Sequence, residues 1–382
     1  MKVLHYADAG EFMNKHILVN YLGRKGGGML YAYEMTKGLL KNGGKVSAII
    51  PEGIENAELW RTLPLNRLYF LKTYNSNVTF LTGIVRFLLK EKRMIKRIFS
   101  NDPIDYIYIP MIQPWSGLLN RIFPNVKVVA TLHDPIPHKG SGIFYANICK
   151  RIAISADEIV VLSEKFVDFT AKHYKHDLQN VYIIPHGIFD NYKKVYDNQL
   201  KHKYDDSKIN FLFFGRITPY KGLNVLARAY KKLSEEYSNV ALTIVGNGDF
   251  SPYQESYKNL KNVTIINRWI KDEEVYGYFE NKNIITVLPY IEATQSGVIP
   301  LAMSNESFVI CTNCGGLSEQ VEDGVTGRLI PPNDEEKLYE AMKDIVINGI
   351  DAEIVNNASK HIKSLSWNKL SAELLDIVQQ EK

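Results

Sequence analysis

The chain is poor in cysteine, with only Cys149, Cys311 and Cys314 in 382 residues. Three thiols cannot build a disulfide framework, which excludes a small stapled fold and fits a reducing compartment. Cys311 and Cys314 form CTNC, half of a redox or zinc motif, but no second CxxC or His pair accompanies them. They are read as two small residues near a strand end, and no metal site is expected. No run of about 18 apolar residues exists, so no membrane span is expected. The opening MKVLHYADAG is too short and too polar for an export signal. No tract is biased enough to stay unfolded, and the apolar share of 45% is ordinary. These absences leave a globular, cytoplasmic protein. Its 382 residues exceed what one core accommodates, so two domains are expected.

Charge is unevenly spread. Residues 1–190 carry 24 Lys/Arg against 16 Asp/Glu, a surplus of +8, while residues 191–382 carry 22 against 26, a balance of −4. A basic first half suits an anionic partner or a membrane surface, and also an ordinary solvated face. In the acidic second half, residues 211–223 read FLFFGRITPYKGL. This is a buried strand, a Gly-Arg turn, and a Lys-Gly pair opening a helix. A turn at the C-terminal end of a parallel strand is where α/β proteins bind ligands. Arg216 offers a planar fork suited to phosphate oxygens, and Lys221 a mobile point charge. Two cations at a helix start make an anion site, and the expected anion is a nucleotide diphosphate.

The rest of the chain alternates strands and helices. In the first half, strands are expected at 2–6, 46–50, 106–109, 127–132, 157–162 and 181–184. Gly26-Gly27-Gly28 precedes a helix at 29–41, which Gly43-Gly44 stops. Ser163 is placed to cap a helix at 164–173. Residues 185–204 are polar and read as a link. In the second half, strands are expected at 210–214, 241–245, 263–266, 284–288, 308–311 and 328–330. The fold class is α/β, with two tandem Rossmann-like domains, 1–187 and 188–365, and a cleft between their strand C-termini. Residues 366–380 are amphipathic, and the tail 366–382 is expected to pack back on the first domain as a helix.

In order, the first half contains GGGMLYAYEMTKGLLKNGGKV, TLHDPIPH, ADEIVVLS and IIPHGI. The second adds FFGRITPYKGL, LTIVGNGD, NVTIINRWI and CGGLSEQVEDGVTGRLIPPND. Together these pieces resemble the GT-B glycosyltransferases, and within them family four, the retaining group 1 enzymes of cell-wall and polysaccharide synthesis. The resemblance runs nearly end to end. It implies a nucleotide-sugar donor, most often a UDP-sugar, held by the second domain, and a saccharide or lipid-linked saccharide acceptor held by the first. Transfer would proceed with retention at the anomeric carbon and without an obligatory metal. Arg216 and Lys221 would stabilise the departing diphosphate, with N–H groups of Gly297, Val298 and Ile299 at a helix start. His133 would face the donor sugar as a hydrogen-bonding or proton-handling group. Gly215, Gly246 and Ile270 would border the nucleotide. Gly26, Gly27, Gly28 and Asp134 would lie on the acceptor side. Glu319 sits where the family has a glutamate at a helix start, and the helix start alone explains a carboxylate there.

One departure bears on the donor site. The family has two glutamates eight positions apart around a glycine-rich turn, the second holding the ribose hydroxyls. Here the segment is LPYIEATQSGVIPLAM. Glu292 lies near the first position, although alignment on Gly297 puts Thr294 there. The second position falls on Leu301 or Ala302, so that glutamate is missing. Gln295 and Ser296 are expected to contact the donor in its place.

Residues 80–99, FLTGIVRFLLKEKRMIKRIF, read as a helix with apolar Phe80, Ile84, Phe87, Leu88, Ile95, Ile98 and Phe99 beside basic Arg86, Lys90, Lys92, Arg93, Lys96 and Arg97. Such a helix can lie on anionic lipid at the membrane periphery or be a core helix with a solvated face. Nucleic acid is not an expected partner. Two other functions compete with transfer: a nucleotide-sugar epimerase of the same fold, and a non-catalytic nucleotide-sugar-binding subunit, which the missing glutamate would favour.

Overall fold

The structure is a computed structural model and describes residues 15–74, 77–136, 143–189, 191–281 and 283–379. By Cα proximity the chain divides into two compact units, Met1–Pro185 with Ser366–Lys382, and His186–Leu365.

The first unit is a seven-stranded parallel sheet of β1 (His16–Asn20), β2 (Lys45–Pro51), β3 (Arg67–Leu71), β4 (Tyr106–Ile109), β5 (Lys127–Leu132), β6 (Glu158–Val161) and β7 (Val181–Ile183). The order is β3-β2-β1-β4-β5-β6-β7, so the direction of strand addition reverses between β1 and β4. The central strands β1, β4 and β5 are buried except at Lys127 and mostly apolar, as a parallel sheet with both faces covered requires. The helices are α1 (Gly27–Lys41), α2 (Ala57–Thr62), α3 (Asn77–Arg86), α4 (Lys92–Ile98), α5 (Ser116–Asn120), α6 (Ile143–Ile154) and α7 (Val167–Tyr174). A π turn, Phe87–Glu91, joins α3 to α4. The helix Trp367–Gln379 lies on α1. There the Trp367 ring meets Tyr31 edge-on at 5.3 Å, and Asn42 donates to the Asn368 carbonyl at 2.7 Å.

The strand expected at 2–6 lies outside the described residues. The strand that does pair with β2 and β4 is β1, HILVN, which the sequence reading passed over. Its ends are polar, and burial is made tolerable by hydrogen bonds. His16 Nε2 lies 2.8 Å from Ser47 Oγ, and Asn20 donates to the Ser116 carbonyl at 3.1 Å. Ser163 does precede a helical segment in extended conformation, but its hydroxyl makes no capping bond, and a 3₁₀ turn, Glu164–Phe166, comes before α7.

The second unit is a six-stranded parallel sheet of β8 (Ile209–Phe214), β9 (Val240–Gly246), β10 (Val263–Asn267), β11 (Ile284–Leu288), β12 (Phe308–Thr312) and β13 (Arg328–Ile330). Its order, β10-β9-β8-β11-β12-β13, reverses between β8 and β11. The helices are α8 (Asn191–Val195), α9 (Leu223–Glu236), α10 (Gln254–Tyr257), α11 (Asp272–Val275), α12 (Val298–Ser304), α13 (Leu317–Gln320), α14 (Glu335–Asn348) and α15 (Ala352–Ser364). Each reversal leaves two loops diverging from neighbouring strand ends, the place where open α/β sheets take ligands.

Candidate active site

In the second unit the reversal brings together the loop after β8 and the loop after β11. Residues 215–222 pass through a 3₁₀ turn, Pro219–Lys221, into α9. Ile291 N–H donates to the Tyr220 carbonyl at 2.7 Å, which fastens this loop to the next. Gly222 has φ +72, and a Cβ there would stand 1.8 Å from the Pro289 carbonyl oxygen, so only glycine fits. Gly246, with φ +154, is pressed as closely on the Gly215 carbonyl. The glycines expected to border the nucleotide thus shape the loops by mutual contact.

The two cations differ in setting. Arg216 is exposed and has no ion pair among the described residues. The Lys221 ammonium lies 3.5 Å from the centroid of the buried Tyr290 ring and 5.2 Å from that of Tyr220. Cation–π attraction to the two rings helps hold the charge at the loop surface. Burial raises the Tyr290 phenol above its ordinary pKa, so it stays neutral.

The segment 294–297 is held from the side by Gln320. Its carboxamide accepts from Ser296 N–H at 2.8 Å and donates to the Ser296 carbonyl at 3.0 Å. Gly316 N–H donates to the Thr294 carbonyl at 3.2 Å. Thr294 and Ser296 are buried, while Glu292 is exposed. Ser296 Oγ is turned inward, accepting from Val298 N–H at 3.2 Å and lying 3.4 Å from the Tyr290 hydroxyl. Val298 N–H, one of the three donors expected at the start of α12, is thus engaged by the loop's own Ser296 hydroxyl. Gln295 is the member of the pair with capacity to spare, since its Oε1 is buried and has no hydrogen-bond partner among the described residues. Leu301 and Ala302, where the second glutamate would stand, are buried, and no polar group replaces it at those positions.

Two residues left unassigned in the sequence reading belong to this region. One is Gln320. The other is His186, whose Nε2 would lie 3.5 Å from a Cβ at Gly297 and whose ring meets Phe189 edge-on at 4.8 Å. The motif IIPHGI contained the signal for His186. Beyond β10, Ile270 is buried and Trp269 is exposed. Arg268 pairs with Glu274 and holds that carboxyl below its usual pKa. Glu319 is exposed on α13.

In the first unit His133 follows β5. Its Nε2 lies 2.9 Å from the Pro110 carbonyl, which can only accept, so the proton sits on Nε2 and Nδ1 is bare. Burial lowers its pKa, against the opposing effects of that hydrogen bond and of Asp134. The imidazole is therefore neutral near pH 7. Tyr31 on α1 meets its ring edge-on at 4.6 Å. A cavity of about 440 Å³ adjoins His133 and Asp134, with Met111, Gln113, Tyr145 and Tyr174 among its walls. Of the glycines before α1, Gly28 is packed so that a Cβ would stand 2.6 Å from Met111 Sδ, whereas Gly27 has nothing within 4 Å. Among the described residues, no group of three or more His, Cys, Asp or Glu could hold a metal ion.

Comparison with known proteins matches residues 208–348 to a family described as Glycosyl transferases group 1, and residues 25–191 to Glycosyltransferase Family 4. An uncharacterised glycosyltransferase of Methanocaldococcus jannaschii is 23% identical, covering 92% of this chain and 94% of the relative. The O-antigen chain mannosyltransferase C of Escherichia coli is 28% identical over 68% of this chain and 70% of its own length. The crystal structure of Anabaena HepE in complex with UDP-glucose is similar in fold, with a TM-score of 0.69 at 16% identity, covering 94% of this chain and 99% of that one.

Proposed function

Because the chain belongs to the group 1, family 4 glycosyltransferases of GT-B fold, we propose that it is a retaining enzyme of cell-surface polysaccharide assembly. It moves a sugar from a UDP-sugar to a saccharide or lipid-linked saccharide. It works in the cytoplasm or at the membrane periphery and needs no obligatory metal. The second unit binds the donor and the first unit the acceptor. The UDP assignment leans on the Anabaena protein solved with UDP-glucose. The setting in surface polysaccharide leans on the O-antigen mannosyltransferase.

The observation that carries this reading is the placing of two cations in the loop at the β8/β11 reversal, Lys221 over the Tyr290 ring and Arg216 exposed. When the bond from the sugar's anomeric carbon to the diphosphate breaks, its electron pair stays on the phosphate oxygen. Arg216 and Lys221 meet that charge with little reorganisation, which is the main source of catalysis in such a step. Gln295 Oε1 takes a hydroxyl of the ribose or the sugar. Glu292, Thr294, Gly215, Gly246 and Ile270 border the donor. His133, neutral and with a bare Nδ1, accepts a hydrogen bond from a sugar hydroxyl. Asp134 and the Gly26-Gly27-Gly28 turn serve the acceptor.

A thermal-shift and hydrolysis screen against UDP-, GDP-, ADP- and dTDP-sugars tests the reading, with Arg216→Ala and Lys221→Ala as controls. A UDP-sugar is expected to stabilise the wild type and to be slowly hydrolysed, with both effects lost in the variants. Stabilisation by none of the four, or equal stabilisation of the variants, would remove it.

A further inference from the structure

The segment from α3 to α4 carries two apolar faces where a surface helix needs one. Phe87, Ile95 and Phe99 are buried, and Phe80, Ile84 and Ile98 pack against the same core. Leu88, one of the apolar residues of this segment, is exposed instead. Leu81, Val85, Leu88 and Leu89 recur at i, i+4, i+7 and i+8, a single stripe. All four are exposed, Leu81 to 68% and Leu89 to 66%. On α6, Phe144 extends the patch at 72% exposure, its ring 6.4 Å from Phe80 of α3. Immediately downstream, Lys90, Arg93, Lys96 and Arg97 are all exposed, and none has an ion pair among the described residues.

We infer that this face docks on an anionic lipid bilayer that carries the acceptor. Burying one helix face already satisfies the fold, so a second contiguous apolar stripe calls for an external apolar phase. Four uncompensated cations beside it call for negative charge at the edge of that phase. An anionic bilayer supplies both, headgroups for the cations and acyl chains for the stripe. Continuity with the cavity points the same way, because Tyr145, next to Phe144 in α6, lines the cavity beside His133 and Asp134. The patch therefore runs up to the wall of the acceptor pocket. No helix among the described residues is long and apolar enough to cross a membrane, so the attachment is interfacial. The inference rests on the transferase reading and selects the lipid-linked acceptor from the two that reading allows.

Co-sedimentation of the full chain with vesicles tests it. The vesicles are phosphatidylcholine alone, or the same lipid mixed with phosphatidylglycerol. The wild type is expected to pellet with the mixed vesicles at low salt and to remain in solution with phosphatidylcholine alone. Leu81→Gln with Leu89→Gln, and separately Arg93→Gln with Lys96→Gln, should each weaken pelleting about tenfold. Their thermal midpoints and donor hydrolysis should stay at wild-type values, which shows that they fold. Wild-type protein left in the supernatant at low salt would overturn the inference. So would apolar variants that pellet like wild type, or a wild-type dimer that the apolar variants dissociate, since a second copy would then cover the stripe. Vesicle binding needs no donor, so docking without recognition of any nucleotide-sugar would sink the transferase reading alone, and recognition without docking would sink this one alone.

Discussion

At the β8/β11 reversal of the second unit, a methyl group on Gly222 would stand 1.8 Å from the Pro289 carbonyl and one on Gly246 would stand 1.7 Å from the Gly215 carbonyl. At the β1/β4 reversal of the first unit, a methyl on Gly27 would meet nothing within 4 Å and one on Gly28 would meet the flexible Met111 side chain rather than backbone, and a cavity of about 440 Å³ opens between the loops after β4 and β5, beside His133. The same sheet topology is thus used in two ways. In the second unit the loops are pinned to one another by close backbone contact and by the Gln320 carboxamide, which suits a ligand part that never changes, such as a diphosphate. In the first unit the contacts are with a side chain that can move, which on the proposed reading would suit acceptors that differ between enzymes of one fold. Preorganisation belongs where charge develops and latitude where substrates vary.

The sharpest way to break this comparison is to add one methyl group on each side. Gly222→Ala places Cβ inside the Pro289 carbonyl at a positive φ and should cost about 4 kcal/mol or more in the second unit. Gly27→Ala, at the first position of α1 with open space, should change stability by under about 1 kcal/mol and in the favourable direction. Denaturant unfolding of both variants checks this. Equal effects would mean that the two reversals are equally tolerant and that the contrast is misread.

Next in size is chemistry. Arg216→Ala and Lys221→Ala should each lower kcat about 100- to 1000-fold. Their thermal midpoints should stay near wild type, since Arg216 is exposed and Lys221 is only half-buried in a surface loop. A loss of stability in step with activity would instead make them structural.

Gln320 probes whether pinning itself matters. Gln320→Ala removes two hydrogen bonds to Ser296 and should raise the donor KM about tenfold. Gln320→Glu keeps the acceptor for Ser296 N–H but turns the amide donor into a second acceptor facing the Ser296 carbonyl, so it should not rescue. An unchanged KM in both would show that the loop holds its shape without the clamp.

How much of this could be read from the chain follows from the range over which each feature acts. Strands β4, β5, β11 and β13 are short apolar runs between turn residues, a local signal, and their expected limits agree with the observed ones. The cations at 216 and 221 announce themselves in one thirteen-residue stretch, although nothing there says that Lys221 would rest on Tyr290. β1 was hidden because its ends are polar residues whose hydrogen-bond partners, Ser47 and Ser116, come from other elements. Gln320 was hidden for the same reason, since its partner Ser296 lies 24 residues away. The exposed stripe of α3 was legible as apolarity but not as exposure, because the periodicity of one helix cannot tell which of two apolar faces the core will take.

The smallest expected effect concerns pH and sets the two units apart at a single histidine. His133 is buried neutral, with its pKa lowered by burial. In the unfolded chain the same ring titrates at about 6.5. The unfolded state therefore binds more protons once the pH falls below that value, and the stability due to burying a neutral ring is lost as pH falls toward the depressed native pKa. Above about pH 7 the ring is neutral in both states and contributes no slope. His133→Gln keeps a group able to donate to the Pro110 carbonyl but cannot titrate. Thermal midpoints at pH 7.5 and 5.5 should accordingly fall further for the wild type than for His133→Gln. The opposite order would mean that the native site welcomes the charged ring, in which case His133 could act as a proton donor to the sugar and the acceptor side would be as electrostatically prepared as the donor side.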